Sequence, residues 1–234
     1  MNSTIRKIAQ GAAIGAGAAA AGYAGVVAWN RFRYGRVAVA RDPAHASLLD
    51  DFIPEPEIVS GHHIAIAAPP AIVLESAKQL RLLHSVAARS LFRLREMALG
   101  GEPDTRTHPE ALLDQLLSIG WVVLAETPGR EIVLGAVTKP WNASPEFRSV
   151  PAGEFAAFAE PDHVKIAFTL KAEPNGNGGS LFVTETRAVA TDEEARTKFR
   201  RYWSYVAPGV GLIRLAMLRP VKREAERRVQ SVAA

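Results

Sequence analysis

Residues 180–209, SLFVTETRAVATDEEARTKFRRYWSYVAPG, decide the fold. Leu181 to Ala190 is rich in Val, Thr and Phe and reads as a strand. Thr191 then stands as a helix N-cap, with Asp192, Glu193 and Glu194 over the positive end of the helix dipole. The helix that follows carries Phe199, Tyr202, Trp203 and Val206 on one side. Pro208-Gly209 is expected to interrupt it, and Val210, Ile213, Met217 and Leu218 resume the pattern toward Arg228. A strand feeding straight into a long, apolar-faced helix needs a sheet for that helix to cover, because neither surface alone can hide its apolar side chains.

Upstream, the chain supplies the sheet. Val164, Ile166, Phe168 and Leu170 alternate with His163, Lys165, Thr169 and Lys171, one dry face and one wet. The run Asn175-Gly176-Asn177-Gly178-Gly179 joins this strand to the last one with residues that tolerate positive φ. Trp121 to Glu126 and Glu131 to Thr138, joined by Thr127-Pro128-Gly129, form the clearest hairpin, and 147–150 adds a short strand. Glu126 and Glu131 flank that turn and are expected to face solvent. Further back, 62–67 is a strand closed by Pro69-Pro70, and helical spacing follows over 71–82 and 85–99, the latter ending at Gly100-Gly101. Pro109 opens a third helix as its first residue, with Leu112, Leu113, Leu116 and Leu117 as its apolar face and Gly120 as its end.

The segments HHIAIAAPPAIV (62–73), WVVLAETPGREIVLGAVTKPW (121–141), HVKIAFTL (163–170) and the opening stretch together resemble the START-like or SRPBCC superfamily, the helix-grip fold of polyketide cyclases, lipid-transfer domains and the major birch-pollen allergen. The resemblance implies an α+β fold, a curved antiparallel sheet gripping a long C-terminal helix. The material at 85–120 adds extra helices after the first strand, and Pro208 departs from that family's continuous last helix. The resemblance also implies a cavity for a hydrophobic or lipid-like small molecule between sheet and helix.

Candidates for lining it are Trp121, Val123, Leu134, Ile166, Phe168, Phe182, Thr184, Phe199, Tyr202 and Trp203, although any one of them taken singly reads first as ordinary core. Glu185 and Arg187 share strand parity with Leu181, Val183 and Val189. If that face is inward they form a buried pair that marks a ligand site; if Phe182, Thr184 and Thr186 face inward, the pair decorates solvent. No catalytic residue is assigned. GxSxG, P-loop and dinucleotide motifs are absent, His62 and His63 point to opposite faces, and the remaining histidines lack ligand spacing, so neither metal nor cofactor is expected. The functional readings are a carrier or sensor of hydrophobic ligands, a pocket enzyme of the cyclase, dehydrase or hydrolase type using Glu185, Arg187 or a Tyr/His pair for proton transfer, and a scaffold with a filled core.

Ahead of this domain, residues 8–29 are almost wholly apolar or small, between Arg6-Lys7 and Arg31, Arg33 and Arg36. That length just suffices to cross a bilayer core about 30 Å thick, so the stretch is read as a transmembrane helix, with a cleaved signal peptide and an Ala-rich soluble helix as alternatives. The Arg excess downstream favours a single-pass membrane protein whose globular domain is cytoplasmic. The organisation is then a basic-flanked anchor over 1–36, a Pro-rich connector over 37–60 whose Leu48, Leu49, Phe52 and Ile53 dock on the domain, the helix-grip domain over 61–230 and a tail over 231–234. The chain carries 28 Lys and Arg against 24 Asp and Glu, and this slight excess concentrates near 31–41 and from Arg214 to Arg228. Both stretches suit anionic lipid headgroups. No basic platform with interleaved aromatics, zinc-finger spacing or helix-turn-helix supports nucleic acid as a partner. Cysteine is absent, which is compatible with any compartment.

Overall fold

The computed structural model describes residues 3–34, 47–81, 90, 93, 100 and 109–233. In chain order the elements are helix α1 (Ser3–Arg33), a 3-10 turn (Leu48–Asp51), β1 (Ile58–Ile66), α2 (Pro70–Lys78), α3 (Leu112–Ser118), β2 (Val122–Thr127), β3 (Glu131–Thr138), β4 (Phe147–Arg148), α4 (Ala152–Phe155), β5 (Val164–Pro174), β6 (Ser180–Ala190) and α5 (Glu193–Ala233). The helix expected over 85–99 lies outside the described residues except at 90 and 93, as do residues 35–46 of the connector.

Hairpin chemistry builds the sheet. Gly129 takes φ 70° in the β2–β3 turn, where Arg130 N–H donates to Thr127 O at 3.0 Å. Between β5 and β6, Asn175 Oδ1 accepts from the backbone N–H of Asn177 (3.0 Å) and Gly179 (3.2 Å), closing the loop locally. The strands run in the order β1-β6-β5-β3-β2, with β4 beside β3, and every pairing is antiparallel. Residues directly opposite across such ladders share a face, so the register sorts every side chain.

The inner face carries Ile64, Ile66, Phe182, Leu170, Ala172, Ile132, Leu134 and Ala136, packed against Val73, Leu74 and Ala77 of α2 and Leu218, Val221 and Ala225 of α5. A long C-terminal helix crossing one face of an antiparallel sheet is the helix-grip arrangement. The outer face is covered as well. Leu49 and Ile53 of the connector and Phe155 of α4 are fully buried against Val133, Val137 and Ala167. A third cluster gathers at the β1–β6 end, where Tyr34, just after α1, packs with Ile58, Ala188, Ala195 and Phe199.

Several expectations are corrected. Helix α5 runs through both Pro208 and Pro220 without a break. Each proline removes one backbone N–H, but Phe199 and Ser204 ahead of Pro208 and Leu218, Val221 and Ala225 around Pro220 are buried and hold the axis in line. The N-cap is Asp192, one residue later than expected: its Oδ1 accepts from Ala195 N–H at 2.7 Å, while Thr191 Oγ1 is engaged with the backbone of His163. Helix α3 starts at Leu112 behind Ala111, so Pro109 precedes it. Glu131 is buried rather than exposed, because its Oε1 accepts from Ser47 Oγ (2.7 Å) and Thr169 Oγ1 (2.9 Å) under the docked connector. The transmembrane reading finds no support. Helix α1 has 31 residues, yet no helix among the described residues is both long and apolar enough to cross a membrane. Alanine and glycine supply length without transfer free energy. What α1 does instead is run beside α5, with Tyr23 Oη donating to Tyr205 O (2.7 Å) and Arg200 Nε to Arg31 O (2.9 Å).

At the start of α5, Asp162 accepts from Lys139 Nζ (2.9 Å) and Lys198 Nζ (2.8 Å), tying the end of β3 to the helix. The Lys139 and Lys198 hydrogen bonds hold its carboxyl below the ordinary aspartate value of 3.8. A depressed folded pKa contributes stability that is present above the unfolded value and lost as pH falls through the folded one. The melting temperature of Asp162→Asn should therefore fall below that of the wild type at pH 7, with the gap closing as pH drops from about 4 toward 2. Thermal melts at pH 7, 4 and 2 check this; a gap independent of pH contradicts it.

Candidate functional site

The register lines up one cross-strand row on the inner face: Ser60 opposite Thr186, Thr186 opposite Phe168, Phe168 opposite Leu134 and Leu134 opposite Val123. The neighbouring row begins with His62 opposite Thr184 and Thr184 opposite Leu170. Four polar side chains, Ser60, His62, Thr184 and Thr186, thus form one patch on β1 and β6. From it the row runs into an aromatic wall. Phe168 stands 5.2 Å edge-on from Trp121, which lies 5.7 Å from Phe147. This wall is not sealed: Ser60, His62, Ile166, Phe168 and Thr186 are only half-buried, and Val123 at the far end is 38 % exposed. Above it, between Ser204 and Arg214, no α5 side chain is fully buried.

Arg214 reaches down from α5 onto the polar patch and is 6 % exposed. Its Nη1 donates to Ser60 O (2.6 Å) and Thr184 O (3.1 Å), and its Nη2 to Thr186 Oγ1 (2.7 Å). All three acceptors are neutral. Burial pushes its pKa down to about 10, against the opposing pull of Glu185 across the sheet, so the guanidinium stays charged at neutral pH. His62 is held below the ordinary histidine range by burial first, then by the charges of Arg214 and His63, and is therefore neutral at pH 7.

Four buried side-chain atoms among the described residues have no hydrogen-bond partner: His62 Nδ1, Trp121 Nε1, Thr138 Oγ1 and Arg214 Nε. Buried polar groups are nearly always paired, so each exception asks for an explanation. All four belong to the inner face or to the helix over it. His62 and Thr138 lie there by register, Trp121 by its packing on Phe168, and Arg214 by its bonds to the patch.

The residues singled out from sequence fall into three places. Trp121, Val123, Leu134, Phe168, Phe182 and Thr184 share the inner face, with Leu134 and Phe182 fully buried. Phe199, Tyr202 and Trp203 sit together at the other end, around Tyr34, and Ile166 borders both groups. Glu185 and Arg187 face outward. Yet Arg187 is 4 % exposed, since the connector lies over it: Nη1 donates to Asp50 Oδ1 (2.6 Å) and Ile53 O (3.2 Å), and Nε to Glu185 Oε1 (2.7 Å). Burial alone would lower the Arg187 pKa, but the bonds to Asp50 and Glu185 outweigh it and raise it. Neither sequence alternative foresaw an outward pair whose arginine alone is buried, acting as a clasp on the connector. Sequence reasoning also missed Arg214, placed there among surface cations, and the Ser60/His62 pair. The available signal was polar residues at alternate positions in two otherwise apolar strands.

A separate cleft of about 620 Å³ opens between α2 and α5, with Leu80, Ala216 and Pro220 in its floor and Arg81, Arg223, Arg227 and Arg228 around it. None of the residues proposed from sequence borders it. Among the described residues, no group of three or more His, Cys, Asp or Glu is placed to hold a metal ion.

No protein-family model matches the chain, and no curated protein matches it. Among solved structures it is similar to hypothetical protein jhp0584 from Helicobacter pylori, at 10 % identity over 80 % of this chain and 99 % of that one, with a TM-score of 0.39. It is also similar to protein CV1439 from Chromobacterium violaceum (15 % identity, 67 % and 96 % covered, TM-score 0.25) and to Ara h 8.0201 (12 % identity, 68 % and 98 % covered, TM-score 0.20). Likeness at these scores carries no weight for what the chain binds.

Proposed function

We propose that this chain binds a hydrophobic small molecule between the inner face of the sheet and α5, as a carrier or sensor rather than an enzyme. The observation that supports the reading is that the four unpartnered buried polar atoms found among the described residues all belong to one incompletely sealed sheet face or to the helix over it. A site of this kind, mostly apolar with a few fixed polar groups, suits an oily guest. The one carboxylate and arginine pair suspected of proton transfer lies on the opposite face, its arginine held under the connector.

The surface of the two long helices supports work at a bilayer. Of nine exposed large hydrophobic side chains among the described residues, seven lie on α1 or α5: Tyr23, Val26, Trp29, Phe32, Tyr205, Leu212 and Leu215. Such a concentration on one helix pair is the mark of an interaction surface. Arg31 and Arg33 beside Trp29 and Phe32, and Arg200 and Arg201 on α5, provide the positive charge that anionic headgroups attract.

Native mass spectrometry of the full chain after incubation with a lipid extract tests the binding reading. A bound mass of a few hundred daltons is expected. An unliganded spectrum after lipid extract and after fatty alcohols alike rejects it. Co-sedimentation with phosphatidylglycerol vesicles, weakened by salt and by Trp29→Ala, is the expected companion result; equal binding to phosphatidylcholine vesicles at all salt concentrations contradicts the charged surface.

A further inference from the structure

We propose that the bound molecule carries a carboxylate and that Arg214 is its anchor, which makes the guest a fatty-acid-like anion rather than a neutral lipid. The inference rests on the hydrophobic-ligand reading above and adds the chemistry of its head.

The charge balance around Arg214 is the starting point. An arginine carries five N–H donors. Three hydrogen bonds are made, two from Nη1 and one from Nη2, all to neutral oxygens. Two N–H groups are left over, and one of them sits on Nε, which is buried and unpartnered. No Asp or Glu lies within ion-pair distance of this guanidinium among the described residues; Glu185, the acid whose charge it feels, is on the other face and is engaged by Arg187. Buried charges are ordinarily paired, because the cost of taking an ion out of water is recovered only through an opposite charge and full hydrogen bonding. Arg187 shows the ordinary solution in this same molecule, with two carboxylates on one guanidinium. Arg214 has the burial without the counter-ion.

Geometry says what would complete it. A carboxylate offers two oxygens to parallel N–H donors, the arrangement a guanidinium fork matches best. His62, neutral and with Nδ1 unpartnered, lies on the same patch and is close enough to Arg214 to have its pKa lowered by it. Protonated on Nδ1, that ring supplies one more donor to a bound anion. From the patch the row leads directly to Phe168 and Leu134, with Ile166 alongside, so an acyl chain attached to the carboxylate has an apolar track to follow toward Val123.

The test compares probes that share one chain and differ in the head. Isothermal titration of the full protein with laurate and with 1-dodecanol is expected to give laurate at least tenfold tighter binding. In Arg214→Met the preference for laurate over dodecanol should disappear, and in Arg214→Lys part of that preference should return. Equal binding of laurate and dodecanol to the wild type overturns the anchor while leaving the hydrophobic-ligand reading standing, and needs no variant. Binding of neither probe removes both. Tighter binding of dodecyl phosphate than of laurate overturns the carboxylate assignment. Thermal melting separates the anchor from a structural role: Arg214→Met should melt no lower than the unliganded wild type, and a large fall in its melting temperature with the laurate preference retained makes Arg214 a structural residue.

Discussion

Gly120→Ala should destabilise the protein by roughly 3–5 kcal/mol, combining a strained backbone with a collision that cannot relax. Gly120 has φ 105°, and a Cβ built there would lie 2.0 Å from Phe147 O and 2.9 Å from Phe147 C. Both are backbone atoms of a strand already fixed on β3 by Thr138↔Phe147 and Val137↔Arg148. Ser149 Oγ donates to Gly120 O at 2.9 Å, so the two segments are drawn together rather than merely adjacent. The same glycine closes α3, where Gly120 N–H and Trp121 N–H return to Leu117 O and Leu116 O. Displacing it moves Trp121 off Phe168 and opens the aromatic wall. Gly176→Ala provides the comparison: φ is 79°, but nothing lies within 4 Å, so only the conformational penalty of about 1 kcal/mol applies. Urea denaturation of both variants checks the difference, and equal losses contradict the steric account.

A loss of similar size, about 3–5 kcal/mol, is expected for Phe199→Ala. Phe199 is 1 % exposed and makes three ring contacts, edge-on to Tyr34 at 5.9 Å, stacked on Tyr202 at 6.3 Å and tilted to Trp203 at 6.0 Å. It is the side chain on which the residue after α1 rests. Tyr34 is held there too by its hydroxyl, which donates to Glu57 Oε2 at 2.6 Å, while Arg196 Nε donates to Glu57 Oε1 at 2.6 Å. Burial first, and then Glu57, push the Tyr34 pKa well above the usual phenol range. Removing the Phe199 ring should therefore loosen α1 as well as lower stability. Limited trypsin digestion should cut faster after Arg31 and Arg33 in the variant than in the wild type. A loss below about 1 kcal/mol with unchanged digestion would show that α1 is held elsewhere.

What the sequence reveals and what it hides follow from how far apart the deciding residues lie. The β2–β3 hairpin and the passage from β6 into α5 are legible because turn residues, alternation and capping all fall within a few positions of each other. The inward side of β6 is not. Its inner face there is polar, Thr184 and Thr186, whereas its outer face carries Val183 and Val189 beside Arg187, so hydrophobic alternation points the wrong way. Arg187 is buried only because Asp50, 137 positions earlier, folds over it. Arg214 is hidden for the opposite reason: in a basic C-terminal helix one arginine among many reads as a solvated charge, and its three acceptors all come from β1 and β6. The continuity of α5 through Pro208 is likewise tertiary, since local preference alone would end the helix there. The membrane-spanning reading lacks support on amplitude rather than pattern, since among the described residues small side chains give the length without enough hydrophobicity.

The pairing of β1 with β6, Ile58 opposite Ala188, bears on how the protein is made. A ribosome delivers β1 early, but its ladder partner is among the last strands to emerge, and Tyr34 must wait longer still for Phe199. Closing loops of this length is slow. Until then, a nascent chain holds an unsatisfied strand edge beside bare aromatic residues, so its safe completion depends on being shielded from neighbouring copies throughout synthesis.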